Sequence, residues 1–575
     1  MADIQAKKSF DGKSAWAAYP ALFALCAAAA VLLDPTSARI IPNASVAILT
    51  VCAAAFAVAV FLLAKKPVKK MSGELIGAAT CLLIFPLLLI CVSAVVRQVA
   101  ALGAAGLVMI AYVAVLLKVT GHMTTSRLIL LLIAAGLVLR LCYGLYTPVE
   151  VRQHDVESFA SSVGGHGAYI KYFYNEKQLP DFDPTTVWQF YHPPLNHILS
   201  AVWLGAVTRI GFTWTRALES IQFLTLFYSA SCMLICKSIF TRMGLKGGGL
   251  ICAMSVVCFA PPFIILSGAV NNDMLSITFL LAAISATLRW CDTGKLWDLI
   301  KIALGIGLGM STKLSVAAIA PAVAVIMLIK LIRQKHGRGR LLGNYAAFAG
   351  VCFPLGLWWP LRNSIMFGSP INYIPLLSTD SYQYVGNFTF AQRFLLPLGY
   401  CWKSEFIHFT QELKDYNVWA GLLKTAVFDE YDLNAASVNT TGFTAVLYYV
   451  AIVLALAAFA AMIVTLIKQK NSLGDEKTLL MLGCYVLVLG SYLVMCAGFP
   501  HTCTMNIRYA TPIIVVGALF LGKAAQSMGQ GERGLNLRTV CRYSLFGLVG
   551  LYCALSTAVY ILLGTYFVRI LENCA

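Results

Sequence analysis

The chain is a succession of apolar runs, each about twenty residues long, separated by short polar stretches rich in Lys and Arg. As a helix, a run of that length crosses a hydrocarbon layer about 30 Å thick. Lipid admits only helices and closed barrels, and continuous runs of this length argue against a barrel. The pattern predicts an all-α, polytopic membrane protein of about 15 transmembrane helices. The spans fall near 15–33, 44–64, 73–95, 99–117, 126–146, 217–240, 248–267, 274–290, 297–311, 314–332, 343–361, 442–467, 478–498, 508–526 and 543–566.

Composition agrees. Of 575 residues, 59% are hydrophobic and 12% charged, with a mean hydropathy of +0.78; a soluble domain carries about 25% charged residues. A net charge of +18 points towards nucleic acid until the basic residues are located. They cluster in loops between spans: Lys65–Lys70, Lys237–Lys246, Lys330–Arg340, Lys468–Lys477 and Arg533–Arg542. That is the positive-inside bias, so no nucleic-acid partner is expected and the partner is the lipid bilayer. With the N-terminus inside, residues 147–193 and 362–441 lie outside, and the C-terminus does too. Segment 194–212 is read as non-crossing, because a crossing would carry the Lys237–Lys246 and Lys330–Arg340 clusters outside.

The eighteen cysteines sit mostly inside spans, where Cys is a small hydrophobe, and none forms a CxxC motif. An outer pair such as Cys401 and Cys503 stays open. The lysine-bearing N-terminus shows no cleavage-like site and reads as a retained anchor. Four regions emerge: an appended four-helix module over 1–120, a core over 121–361 that includes the outer loop 147–193, an aromatic-rich outer segment over 362–441, and C-terminal helices over 442–575.

The chemistry gathers on the outer side. VRQHDVESFASSVGGHG, residues 151–167, follows the fifth span with His154, Asp155, Glu157 and His166, and WQFYHPPLNHI adds Tyr191 and His192. A carboxylate there can take a proton from a hydroxyl or hold a cation, or be a solvated loop acid. The stretch GHGAYIKYFYNEKQLP predicts a short amphipathic helix lying on the interface, with Tyr169, Ile170, Phe173 and Tyr174 on its apolar side. Pro193 and Pro194 suit the first turn of a following helix. The histidines lack metal-site spacing, so a divalent cation remains an open option.

Asp273 opens a span as a second acid, a cation ligand or a helix cap. Lys313 and Arg362 fall at outer span ends, where a cation is costly unless neutralised by a partner such as a lipid phosphate, or snorkels to the headgroups. Arg508 and Tyr509 begin a late span on that side, placed either for a phosphate or acceptor, or as an interface anchor.

This order of motifs resembles the GT-C superfamily of polytopic glycosyltransferases, above all its protein O-mannosyltransferase branch (family 39) with the lipid A aminoarabinose transferases. An acid pair after an outward span precedes an amphipathic helix ending in Leu-Pro and then His-Pro-Pro-Leu. PPFIILSGAVNNDMLSITF, GIGLGMSTKLSVAAIAP, LWWPLRNSIMFGSP and NIRYATPI follow in the branch's order, over roughly 126–530. The family's adjacent Asp-Glu is here Asp155-Val156-Glu157, and the four extra N-terminal spans are unusual.

The resemblance implies a GT-C-like fold and transfer of a sugar from a polyprenyl-phosphate donor to an acceptor hydroxyl (glycan, lipid or protein) on the non-cytoplasmic face of the cell membrane. It implies Asp155, Glu157 and Asp273 as the catalytic acids. Lys313, Arg362, Arg508 and Tyr509 would hold the donor phosphate, with His154, His166, Tyr191 and His192 in the substrate loop. The rival is a polytopic transporter or lipid-linked sugar flippase, which calls for charges at mid-membrane and matching halves. Arg140, inside the fifth span, is its best residue, and no halves match.

Overall fold

The computed structural model describes residues 13–36, 99–119, 121–151, 153–155, 159, 164–395, 404–409, 415–430, 441–468, 475–528 and 536–574. The spans expected near 44–64 and 73–95, and Glu157 and Cys401, lie outside the described residues. Among the described residues there is no strand, and nine helices are long and apolar enough to cross a membrane.

Helices α1 (Lys13–Leu32), α2 (Val99–Val119) and α3 (Thr125–Tyr146) lead to the outer loop, which holds α4 (His166–Glu176) and α5 (Leu195–Arg209). A short α6 (Trp214–Ser220) runs into α7 (Gln222–Arg242), followed by α8 (Gly247–Phe259), α9 (Pro261–Ile265) and α10 (Asp273–Thr293). Next come α11 (Leu296–Met310), α12 (Ala320–Arg333) and the long α13 (Arg338–Phe367). Beyond the second outer segment, with α14 (Phe390–Phe394) and α15 (Val418–Phe428), lie α16 (Thr441–Lys468), α17 (Glu476–Gly498), α18 (Pro512–Ser527) and α19 (Leu537–Cys574).

Helix α11 packs against α10 on one side and α13 on the other. Its Gly-rich stretch permits this: a Cβ at Gly305 would stand 2.9 Å from the Ala283 Cβ, and one at Gly307 2.8 Å from the Leu355 Cβ. Small residues let membrane helices approach this closely. One apolar core runs through the helical bundle, and a second fills the outer loop with Val149, Phe159, Tyr169, Ile170, Phe173 and Trp359. Four of those come from α4 or its approach, so the amphipathic pattern of residues 166–176 is used against protein.

The two ends of the bundle differ in kind. At one end Asp292 pairs with Lys477 at 2.5 Å and Arg242 at 3.7 Å, while Glu476 meets Arg333 at 2.9 Å and Lys330 at 3.8 Å. These belong to the basic loops. Asp273, at the other end of α10, is roughly 30 Å away along a 21-residue helix. The start of α5 and the helix that follows it are both tied to the Asp273 end: the Leu195 N–H donates to the Ser311 carbonyl at 3.1 Å, and in α6 Glu219 accepts the Val149 N–H. Segment 195–209 therefore does not cross from one end to the other.

Arg140 is fully buried in α3, and its partners are carbonyls. It donates to Cys258 at 2.7 Å, Val257 at 3.3 Å and Gly136 at 2.9 Å, and to the Ser229 hydroxyl at 2.9 Å. The carbonyls of 257 and 258 would ordinarily accept from residues 261 and 262, which are Pro261 and Pro262 and have no N–H. The guanidinium replaces the donors that the prolines remove. Arg140→Met, which keeps a stem and deletes the donors, is expected to cost on the order of 3 kcal/mol in stability. Thermal unfolding of the purified protein measures this; an unchanged melting temperature would show that the two carbonyls need no donor.

Candidate active site

Three breaks between helices converge at the end opposite the basic loops. The first is the exit of α3. Gln222 donates to the Thr147 carbonyl at 2.6 Å and the Gly268 carbonyl at 2.8 Å, and Glu219 accepts the Val149 N–H at 3.1 Å. Gln153 donates to the Val149 carbonyl at 2.9 Å and accepts the Val270 N–H. These side chains pin the chain just before His154 and Asp155. Asp155 itself sits at φ +65°, a left-handed conformation uncommon for a residue with a side chain.

The second break is Asn271-Asn272-Asp273, ahead of α10. The Asn196 amide donates to the Asn271 carbonyl at 2.8 Å, and the Asn272 amide to the Thr312 carbonyl at 3.2 Å. The third break is Thr312-Lys313 after α11, where the Lys313 N–H closes the helix onto the Gly309 carbonyl at 2.8 Å. The HPP start of α5 docks here, since Pro193 and Pro194 lack N–H groups and Leu195 offers the first donor, to Ser311.

The side chains then meet. Lys313 donates to Oδ1 of Asp273, and Arg508 donates through Nη1 to Oδ2 of Asp155. Arg508 also stands 3.7 Å from Oδ2 of Asp273. Asn271 links the two acids with one amide, donating to Asp155 at 3.0 Å and to Asp273 at 3.2 Å. Tyr509 accepts from Nη2 of Arg508 at 2.9 Å and lays its ring 4.8 Å from the Lys313 ammonium. Nε of Arg508 is buried with no partner. Asp155, Asp273, Lys313, Arg508 and Tyr509 therefore form one cluster.

Below the cluster opens a small groove. Asp273, Ser276, Ile277 and Leu280 line one wall, so it descends about two turns along α10. Val316 and Ala318, Val488 and Ser491 of α17, and Pro512 close the other sides. Its head is charged and its depth apolar.

His154 backs the cluster. Its Nε2 lies 2.8 Å from Nη1 of Arg508, and its Nδ1 bonds to Asp429. Burial, and the neighbouring Arg508, oppose a charge on this imidazole, whereas Asp429 and Asp155 favour one. While Arg508 donates to Nε2 that nitrogen must present a lone pair, so the ring then carries its proton on Nδ1. Burial would raise the Asp155 carboxyl; Arg508 above all, with His154 and Asn271, overcomes this and holds it well below the usual carboxylate range.

His166 and His192 stand behind in a stack. The rings of His166 and His197 are 5.2 Å apart with Nδ1 and Nε2 at 2.9 Å, and the His192 ring stacks on His166 at 5.9 Å. The Tyr191 ring lies 4.1 Å from His192 and 5.8 Å from Tyr373 of the second outer segment. Arg362 does not join the cluster. It donates to the Pro180 carbonyl and to Asn363, over the rings of Trp359 and Phe367. It is held at the Leu-Pro end of the outer loop.

The sequence does not single out Asn271, Asp429 or Asn506; Asn271 bonds Asp155, Asn506 accepts the Arg508 N–H, and Asp429 bonds His154 behind the cluster. Asp429 follows the short apolar stretch of KTAVFDEYD, a weak signal in an outer segment where acids are ordinary. His154, Asp155 and Asp273 each place one ligand atom within 4.8 Å of the others, and an imidazole with two carboxylates suits a divalent cation. Their lone pairs already face Arg508 and Lys313, so a cation would enter by displacing these side chains. Among the described cysteines all are free, Cys503 included.

No family model matches the chain, and no curated protein matches it. Two solved structures are similar in shape. The Archaeoglobus fulgidus oligosaccharyltransferase in its apo form aligns at 12% identity and a TM-score of 0.42, over 75% of this chain and 56% of that one. The Archaeoglobus fulgidus oligosaccharyltransferase AglB in complex with an inhibitory peptide and a dolichol-phosphate aligns at 11% and 0.41, over 74% and 56%. The chain thus spans little more than half the length of these proteins, and a likeness this loose fixes neither family nor activity.

The histidine stack has a pH signature. Burial, the larger influence, lowers His166 to about 4, and it takes His192 and His197 well below their ordinary value. Above pH of about 6.5 these rings are neutral folded or unfolded, so they add no pH dependence. As pH falls below that, the unfolded chain binds protons that the folded one refuses, and stability drops. For His166 alone the loss by pH of about 4 is on the order of 3 kcal/mol. Melting temperatures should fall between these pH values, and His166→Phe, which keeps the stacking, should flatten the slope; an equally steep slope in that variant would assign it to other groups.

Proposed function

We propose that the protein is a GT-C-type membrane glycosyltransferase, moving a sugar from a polyprenyl-phosphate donor to an acceptor hydroxyl on the face opposite the basic loops. One observation carries this reading: a carboxylate and two cations share the charged head of an apolar groove. A lipid phosphate has that same shape, an anion on an apolar tail. By the positive-inside bias, the face is the non-cytoplasmic one. A glycan, a lipid or a protein could supply the hydroxyl.

The chemistry follows from the groups. The acceptor oxygen attacks the sugar's anomeric carbon and gives its proton to Asp155, while the bond from that carbon to the phosphate oxygen breaks. The departing phosphate is a good leaving group and needs fixed positive charge more than a proton. Arg508 supplies it with its unspent Nε–H, and Lys313 stands beside, held by Asp273 and the Tyr509 ring. A phosphate that draws Arg508 aside also removes the main influence depressing the Asp155 pKa, so the carboxylate becomes a stronger base once donor is bound. A divalent cation, held by His154, Asp155 and Asp273, would add positive charge at the phosphate. The transport reading loses its best residue, since Arg140 is occupied by the carbonyls of Val257 and Cys258.

Asp155→Asn is expected to reduce transfer by at least about a thousandfold while polyprenyl-phosphate binding stays within a few-fold. Lys313→Ala should weaken that binding about tenfold and slow transfer as well. Release of polyprenyl phosphate from a labelled donor is the readout, and near-normal turnover of Asp155→Asn would move the base elsewhere. Leu280→Trp, which intrudes into the groove, should raise KM for long-chain donors about tenfold and spare a donor with a single isoprene unit. Equal effects on both chain lengths would show that the tail binds elsewhere.

A further inference from the structure

His154 is one link in a longer connection. Its Nδ1 bonds to Oδ2 of Asp429, 275 residues downstream. The other oxygen of that carboxylate accepts from the Asn506 amide at 2.6 Å. Asn506 in turn caps the turn that carries the arginine, its Oδ1 accepting the Arg508 N–H at 2.9 Å. A single carboxylate thus holds Arg508 from two directions. Through Asn506 it sets where the arginine backbone sits, and through His154 it sets where the guanidinium points.

We propose that Asp429 positions Arg508 to receive the phosphate of the lipid-linked donor, acting through His154 and Asn506. The inference rests on the reading of the site given above and adds to it a residue that does not itself touch substrate.

Backbone conformation bears on this independently of the hydrogen bonds. Asp429 lies at φ +57° and ψ −137°, a region that costs a residue with a side chain about 1–3 kcal/mol. Among the described residues four non-glycines have positive φ, and two of them, Asp155 and Asp429, flank His154 on either side. Glycine would occupy the Asp429 turn without strain, whereas the aspartate uses both carboxylate oxygens. Burial adds weight: His154, Asp429 and Asn506 are 3%, 4% and 1% exposed, and a buried carboxylate stripped of partners is costly. Glu430, next in the chain, also accepts from the Asn506 amide, at 3.0 Å, and reinforces the same anchor.

The state of Arg508 shows what the anchoring achieves. Its Nη1 is spent on Asp155 and His154 and its Nη2 on Tyr509, yet Nε remains buried and unbonded. A side chain free to turn would satisfy that donor. Here it is held instead, leaving that hydrogen unspent beside the groove that Arg508 helps to line. Removing the Asp429 anchor frees the guanidinium to reorient about its Asp155 contact and spend the Nε hydrogen within the protein.

The test uses the full-length protein in lipid nanodiscs, with polyprenyl phosphate as the probe and melting temperature measured in parallel. Asp429→Gly deletes the carboxylate and relieves the strained turn; binding is expected to weaken about tenfold with little change in melting temperature. Asp429→Asn, which keeps an oxygen for the His154 N–H, should stay within about threefold of the parent. In an Arg508→Lys background the Asp429→Gly change should have no further effect, because the group it aims is gone. A purely structural role would lower binding equally in both backgrounds, and that result, or unchanged binding in Asp429→Gly, overturns the proposal. If Asp429→Gly does not fold, His154→Asn in the two backgrounds makes the same comparison, since it breaks the same connection. Absence of polyprenyl-phosphate binding in the parent protein would remove the donor reading and this inference with it; parent binding that is indifferent to Asp429 and His154 removes this inference alone.

Discussion

The ion pair between Arg508 and Asp155 joins residues 353 apart in the chain, and the arrangement of the site depends on it. Burying two charges is costly unless each finds its partner and further hydrogen bonds. Here Asn271 bonds Asp155 from a third segment and reaches Asp273, which holds Lys313 from a fourth. Four chain segments can meet in a small buried volume because their charges cancel pairwise. Breaking one pair leaves the other charge stranded. The centre therefore forms as a whole.

Around it, the structure solves one problem repeatedly: a helix that breaks in an apolar surrounding exposes backbone groups that water cannot reach. Side chains fill the gap each time. Gln222 covers the Thr147 and Gly268 carbonyls, Glu219 the Val149 N–H, and Arg140 the carbonyls left open by Pro261 and Pro262. Breaks are also where functional side chains leave the helical face and converge. The buried polar residues of the bundle thus hold open the breaks through which Asp155, Asp273 and Lys313 reach one another.

The helices were legible because a period of twenty apolar residues is a strong signal. The expected span at 274–290 is the helix Asp273–Thr293, and that at 478–498 is Glu476–Gly498. The amphipathic stretch after residue 165 is helical over His166–Glu176, though its apolar side packs on Phe159, Phe190 and Trp359. Five of the residues singled out as chemistry, Asp155, Asp273, Lys313, Arg508 and Tyr509, lie together, since charge near a hydrocarbon edge is conspicuous. Asn271, Asn506 and Asp429 were harder to read. A neutral amide gives no charge signal, and Asp429 lies in a long outer segment where acids are ordinary. Arg362 stands apart from the cluster: its span-end position resembles that of Lys313, but the carbonyl it bonds, Pro180, is nearly two hundred residues away and invisible from spacing.

The internal cancellation of charge has a consequence for ligand choice. A water-soluble sugar phosphate diffusing up to this centre meets cations already engaged by Asp155 and Asp273, so it gains little by swapping one partner for another. On the donor reading proposed above, a tail entering the groove along Ser276 and Leu280 would contribute about 0.8 kcal/mol for each methylene it removes from water, enough to tip the exchange. On that reading, discrimination between membrane-anchored and dissolved phosphates would rest on apolar contact rather than on electrostatic attraction.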